Sequence, residues 1–211
     1  MNAALRERWL KLAAEIHWQS DTAAVWTALH THYTEPGRAY HNLTHIHACL
    51  TELDAAPVPA QDRSALELAL WFHDVIYDAK AKDNEAMSSK LFQSFAAEAK
   101  LNPALVADVA RLILITKHDK PTVAADEQWI VDIDLSILGS DPIAFARYEE
   151  QIRLEYAWVP QADFCKGRAA VLEHFQQRER LYTTPYFFQR YEAKARTNLA
   201  AAITRWRSAD F

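Results

Sequence analysis

Glycine occurs only three times in the 211 residues. Sheet-rich folds usually need it at tight turns and bulges, where the backbone enters conformations that a Cβ disfavours. Alanine, leucine, glutamate, glutamine and arginine, all good helix formers, are instead plentiful. The expectation is an all-α fold, a helical bundle joined by polar or Pro-containing loops. Half of the residues are hydrophobic, enough for one sizeable core, and domains of roughly 100–200 residues are usual. With no internal repeat, low-complexity tract or long linker to divide it, the chain reads as a single domain over residues 1–211.

Apolar residues recurring every three or four positions (Leu5, Trp9, Leu12, Ile16) predict a first helix from Asn2 to Trp18. Asp21 is placed to cap a second, running to Tyr33, before a turn at Pro36-Gly37. A third helix is expected from Asn42 to Leu53, then a loop over Ala55 to Pro59, with Asp62 capping the helix that carries ALELALWFHDVIYD. Further helices are expected over Asn84 to Lys100, from Asn102-Pro103 to Ile115, and through QWIVDIDLSIL to a C-cap at Gly139. The last three run from Asp141-Pro142 to Trp158, from Gln161 to Arg178 and from Tyr186 to Trp206.

The formal net charge is −5, with acids and bases scattered along the chain. Such a surface offers no electrostatic footprint for duplex nucleic acid, while a local basic pocket for a phosphorylated small molecule stays compatible with it. Cys49 and Cys165 stand far apart in no metal-binding spacing, which points to a reduced, cytosolic compartment. The N-terminus is charged throughout, unlike a signal peptide, and no apolar run reaches the roughly 18 residues a membrane span needs. The aromatic run YTTPYFFQRYE reads as core or dimer packing, so a homo-oligomer is compatible with the sequence.

Chemistry concentrates in two anomalies. The apolar stretch Leu66 to Phe72 ends abruptly in His73-Asp74, and Asp132 and Asp134 lie among Trp129, Ile130, Ile133, Leu135 and Leu138. Buried imidazoles and carboxylates need partners, and an isolated buried carboxylate would take up a proton rather than stay charged. A metal is one such partner. Mixed imidazole and carboxylate ligands suit Mn²⁺, Fe²⁺, Co²⁺ or Zn²⁺, and Mg²⁺ less well. His41 and His45, four residues apart, project to one side of a helix or its first turn. His47 should point away from that side, toward solvent or core.

The order His45, His73-Asp74, Asp134 resembles that of the HD superfamily of metal-dependent phosphohydrolases. The string Tyr40-His41-Asn42-Leu43-Thr44-His45 is similar to the Tyr-His-Asn-x-x-His of cyclic-nucleotide phosphodiesterases, and DIDLSILG to the acidic motif of many HD proteins. The strings IRLEY, GRAAVLEHF and EAKARTNL extend the likeness along nearly the whole chain, to a bacterial group of predicted HD phosphohydrolases of about this length. The resemblance implies an HD-type helical fold in which His45, His73, Asp74 and Asp134 hold a divalent metal. Asp132 is the alternative to Asp134.

The same resemblance makes His41 the proton donor to the leaving oxygen. It makes Asp78, four residues after the His-Asp aspartate, a candidate acid near the metal water, although Tyr77 stands where alarmone hydrolases carry a glutamate. Glu85 is the alternative acid. His118 is a candidate for a second metal or for substrate, and Arg38 and Lys117 are candidates for substrate phosphate. Hydrolysis of a phosphate mono- or diester, with nucleotides as candidate substrates, is the function these readings imply. The alternative is an inactive HD scaffold that binds metal and a nucleotide or protein partner without turnover.

Overall fold

The computed structural model describes residues 1–208, and every regular element among them is helical. Ten α-helices follow one another: α1 Asn2–Glu15, α2 Thr22–Tyr33, α3 Leu43–Ala55, α4 Ala60–Phe72, α5 Asn84–Glu98, α6 Pro103–Ile115, α7 Ala125–Asp134, α8 Pro142–Glu155, α9 Gln161–Gln176 and α10 Pro185–Ser208. A 3-10 segment, Leu135–Gly139, follows α7 directly. The all-α expectation therefore holds. The chain forms two compact units, Met1–Val131 and the residues from Asp132 onward.

The first unit is organised around α4. Every residue from Ala65 to Phe72 is buried, so this helix is enclosed on all sides by its neighbours. Leu29 and Tyr33 of α2, Ile46 and Leu50 of α3, Phe92 of α5 and Leu112 of α6 are buried with it. Trp9 meets Trp18, Trp71 and Phe72 edge to face, with ring centroids 5.3–6.2 Å apart. Burying each such side chain contributes about 1.5–3 kcal/mol or more. The one acid in this buried stretch of α4, Glu67, receives a two-pronged hydrogen bond from Arg8 at 2.7 and 3.1 Å, and Asp54 shares the same guanidinium.

Helix starts follow the expected chemistry. Asp21 accepts from Ala23 N and Ala24 N, Asn42 from Thr44 N, and Asn102 from Ala104 N. Asp62 is a correction: Pro59 is the N-cap of α4, and Asp62 lies in its first turn. Helix ends depart further from expectation. His17 and Lys100 adopt left-handed backbone, φ 57° and 55°, and close α1 and α5 at Glu15 and Glu98. In each case the next residue's N–H bonds back to a carbonyl five residues earlier, Trp18 to Ala13 and Leu101 to Ala96.

In the second unit α10 packs on α9 and on the 3-10 segment. Tyr182 and Phe187, from the aromatic run, belong to its core with Phe145, Phe164, Leu199 and Trp206. Buried Glu149 accepts from Arg168 and from Trp206 Nε1. The helical run ends at Gly139, as expected, with Ser140 as the C-cap, and Gly139 is not left-handed. A Cβ there would lie 2.5–2.9 Å from Cβ, O and Cα of Tyr191, so the glycine allows α10 to approach. Asn198 donates to the Leu138 and Ser140 carbonyls across the same contact, at 2.9 and 3.0 Å. Among the described residues no helix is long and apolar enough to cross a membrane.

Candidate metal centre

His45 is the third residue of α3, just inside the start that Asn42 caps. His73 is the C-cap of α4: its N–H makes a closing helical bond to Ala69 O at 2.8 Å, and Asp74 follows as the chain turns away. One helix start and one helix end thus deliver three side chains to one point in the first unit. His45 Nε2 lies 3.1 Å from His73 Nε2 and 3.4 Å from Asp74 Oδ2, and His73 Nε2 lies 3.0 Å from the same oxygen. Both imidazoles are buried, at 4% and 1% exposure.

The tautomer of His73 follows from its partner. Nδ1 lies 3.0 Å from the Leu70 carbonyl, which can only accept, so Nδ1 carries a proton and donates it. A neutral His73 then turns a lone pair on Nε2 toward His45 and Asp74. Lone pairs on three atoms 3.0–3.4 Å apart repel unless a proton or a cation stands among them. Ligands about 2.0–2.2 Å from one ion at angles between a right angle and the tetrahedral value sit about 3.0–3.5 Å from each other. The donor set and its spacing therefore fit a divalent metal. The Leu70 carbonyl supplies the orienting hydrogen bond that metal-bound histidines typically make through their other nitrogen.

Burial opposes charge on Asp74, but the positive charges of His73 and His41, with hydrogen bonds from His45 and His73, hold its carboxyl well below the usual carboxylate range. Next to the cluster stand three rings. His41 is half-buried and stacks on Tyr77, with centroids 4.1 Å apart and planes 25° apart. Tyr40 packs edge to face on His41 and at a tilt on His45, at 5.1 and 4.8 Å. The sequence reading missed two neighbours. Cys49 Sγ lies 3.7 Å from both ring nitrogens of His45, a contact that their four-residue spacing on α3 could have signalled. Tyr77 is the platform for His41.

The remaining candidates differ in their surroundings. Arg38 directs its guanidinium to Glu35 and to the carbonyls of His41, Asp74 and Val75, and is 9% exposed. Its donors are thus directed at the chain. Asp78 is exposed, and its carboxylate accepts from Lys80 N at 2.8 Å in a turn that Asn84 closes from both sides. Glu85 is half-buried in the first turn of α5, where an acid suits the helix dipole. Lys117 is exposed and pairs with Asp119 at 3.5 Å. His118 takes the left-handed position after α6, φ 59°. His47 is exposed, as its spacing from His45 requires.

Asp132 and Asp134 differ in kind. Asp132 is fully buried, and its carboxylate accepts from Thr183 N, Thr184 N and Thr184 Oγ1 at 3.0, 2.7 and 2.6 Å. It is engaged by the chain, which favours Asp134 as the acid that the resemblance assigns to a metal. Asp134 is half-buried at the end of α7. No family model, no curated protein and no solved structure matches the chain.

Proposed function

We propose that this protein is a metal-dependent phosphohydrolase acting on a phosphate mono- or diester, with nucleotides the first substrates to try. The observation that carries the reading is the convergence of His45 Nε2, His73 Nε2 and Asp74 Oδ2 within 3.0–3.4 Å. The resemblance to HD phosphohydrolases supports the same three ligands and adds Asp134. A divalent ion held there would lower the pKa of a bound water and polarise a phosphoryl oxygen. The chain's own residues do the rest. Asp74 contributes a carboxylate oxygen 3.4 and 3.0 Å from the Nε2 atoms of His45 and His73, and the Leu70 carbonyl holds the His73 ring in its ligating orientation. His41, held flat against Tyr77, is the proton donor for the leaving oxygen. Phosphoryl transfer needs little more than such positioning and charge stabilisation.

A second reading, a metal-holding scaffold that binds a phosphorylated ligand without turnover, is favoured by one observation. The acid four residues after Asp74, Asp78, is exposed and engaged in its own turn, and Tyr77 beside it carries no carboxylate. The two readings separate in one experiment. The purified protein, loaded in turn with Mn²⁺, Fe²⁺, Co²⁺, Zn²⁺ and Mg²⁺, is assayed for phosphate release from a panel of phosphorylated metabolites. The hydrolase reading expects metal-dependent release that His45→Ala abolishes. Metal binding and ligand binding with no release from any member would favour the scaffold.

A further inference from the structure

The C-terminus of α4 ends inside the protein, and a buried helix end poses a definite problem. The last carbonyls of a helix lack an N–H four residues further on and need donors from elsewhere. After Phe72 the chain turns through His73, Asp74 and Val75, with Val75 N bonded to Phe72 O, so two of the proposed ligands sit on this irregular end. The carbonyls of Leu70, Trp71 and Phe72 are met by His73 Nδ1, the Tyr33 hydroxyl and Val75 N, and Arg38 serves the carbonyls of the turn that follows. Its Nη1 donates to Asp74 O at 2.6 Å and its Nη2 to Val75 O at 2.8 Å. A cation also suits this end of a helix dipole.

The same guanidinium reaches the segment that bears the proton donor. Nη1 donates to His41 O at 3.2 Å, and Nε donates to Glu35 Oε2 at 3.1 Å. Tyr33 and Tyr77 hold the guanidinium carbon 5.4 and 5.7 Å from their ring centres, and Tyr77 is the ring on which His41 stacks. The Arg38 backbone is pinned in turn, since Asn42 Nδ2 donates to the carbonyls of Arg38 and Ala39 at 3.3 and 2.9 Å. Only 3% of the Arg38 side chain is exposed.

We infer that Arg38 is a positioning residue that ties the His41 segment to the His73-Asp74 turn and so sets the spacing of the metal ligands and the proton donor. The inference rests on the metal-centre reading above. It requires arginine in particular. A planar fork with five N–H groups can serve several carbonyls and a carboxylate while lying against aromatic rings, whereas a lysine has one nitrogen on a flexible stem.

The test compares wild type with Arg38→Lys and with Glu35→Gln, which keeps the guanidinium and weakens its anchor. Co²⁺ affinity is read by absorbance titration, beside thermal unfolding of each metal-free protein. Residues behind metal ligands typically change affinity by about 10–100-fold, and Arg38→Lys should raise the Co²⁺ Kd by that factor, Glu35→Gln by less. Variants that are less stable yet bind Co²⁺ as tightly as wild type would overturn the inference and leave Arg38 a purely structural residue. If Arg38→Lys fails to fold, Glu35→Gln decides alone, weakened binding supporting the inference and unchanged binding overturning it. Wild type that binds no Co²⁺ breaks the metal-centre reading itself, and the inference with it.

Discussion

Asp132 and Asp74 are both acids set against apolar helical sequence, and their surroundings differ in one respect. Asp132 accepts hydrogen bonds from two backbone N–H groups and a hydroxyl, at Thr183 and Thr184, which leaves it engaged by neutral donors. Asp74 Oδ2 instead faces the Nε2 atoms of His45 and His73 at 3.4 and 3.0 Å. Their ionisation diverges accordingly. Burial pushes the Asp132 carboxyl up to about 6, outweighing the hydrogen bonds from Thr184 and Thr183. At Asp74 burial is outweighed by the charges of His73 and His41 and by hydrogen bonds from His45 and His73. A buried acid satisfied by neutral donors is a structural fixture, whereas one satisfied only by titratable bases is suited to exchange their protons for a metal.

The largest effect that could break this contrast is catalytic. If the first cluster is an active site, His41→Ala should retain metal yet slow turnover by about 10²–10⁴-fold on substrates with poor leaving groups. A nitrophenyl ester, whose leaving group needs less protonation, should be spared. Equal losses on both kinds of substrate, with metal retained, would remove His41 as proton donor and leave it a positioning or structural residue.

How much of this was legible in the sequence depended on where the signal is stored. Helix starts were readable because Asp21, Asn42, Asn102 and Asp141 use short side chains to accept from the first free N–H groups. Helix ends were not. With so few glycines, the left-handed closing positions go to His17, Lys100 and His118, basic residues that favour a helix end without fixing which residue closes it. At the cluster, His73 and Asp74 stand out in the sequence because they end an apolar run, and His45 through its order with them and its spacing from His41. The work of Arg38 does not, since an arginine in a polar loop reads the same whether it faces solvent or the end of a distant helix. The offset of Asp78 from Asp74 likewise reads the same in a turn as in a site.

A smaller effect sharpens the other half of the comparison. Asp132 has a carboxyl pKa raised from 3.8 to about 6 in the folded state. The folded state therefore holds the proton more tightly, and this contribution to stability is present below about pH 3.8 and lost as pH rises through about 6. A shift of this size corresponds to on the order of 3 kcal/mol. Asp132→Asn removes the titration, so its cost relative to wild type should shrink by about that amount between pH 4 and pH 7 in denaturant unfolding. A cost constant across this range would show that Asp132 is held ionised, and the contrast with Asp74 would lose its electrostatic half.

The central claim is that His45, His73 and Asp74 form a metal centre, and elemental analysis of the protein purified without chelator tests it most directly. The account predicts a transition metal in wild type near one per chain or above. It predicts little or none in Asp74→Ala, and a lower melting temperature once wild type is stripped, because metal that binds only the folded state adds to its stability. Metal-free wild type that takes up none on dialysis, or full occupancy in Asp74→Ala, would contradict it.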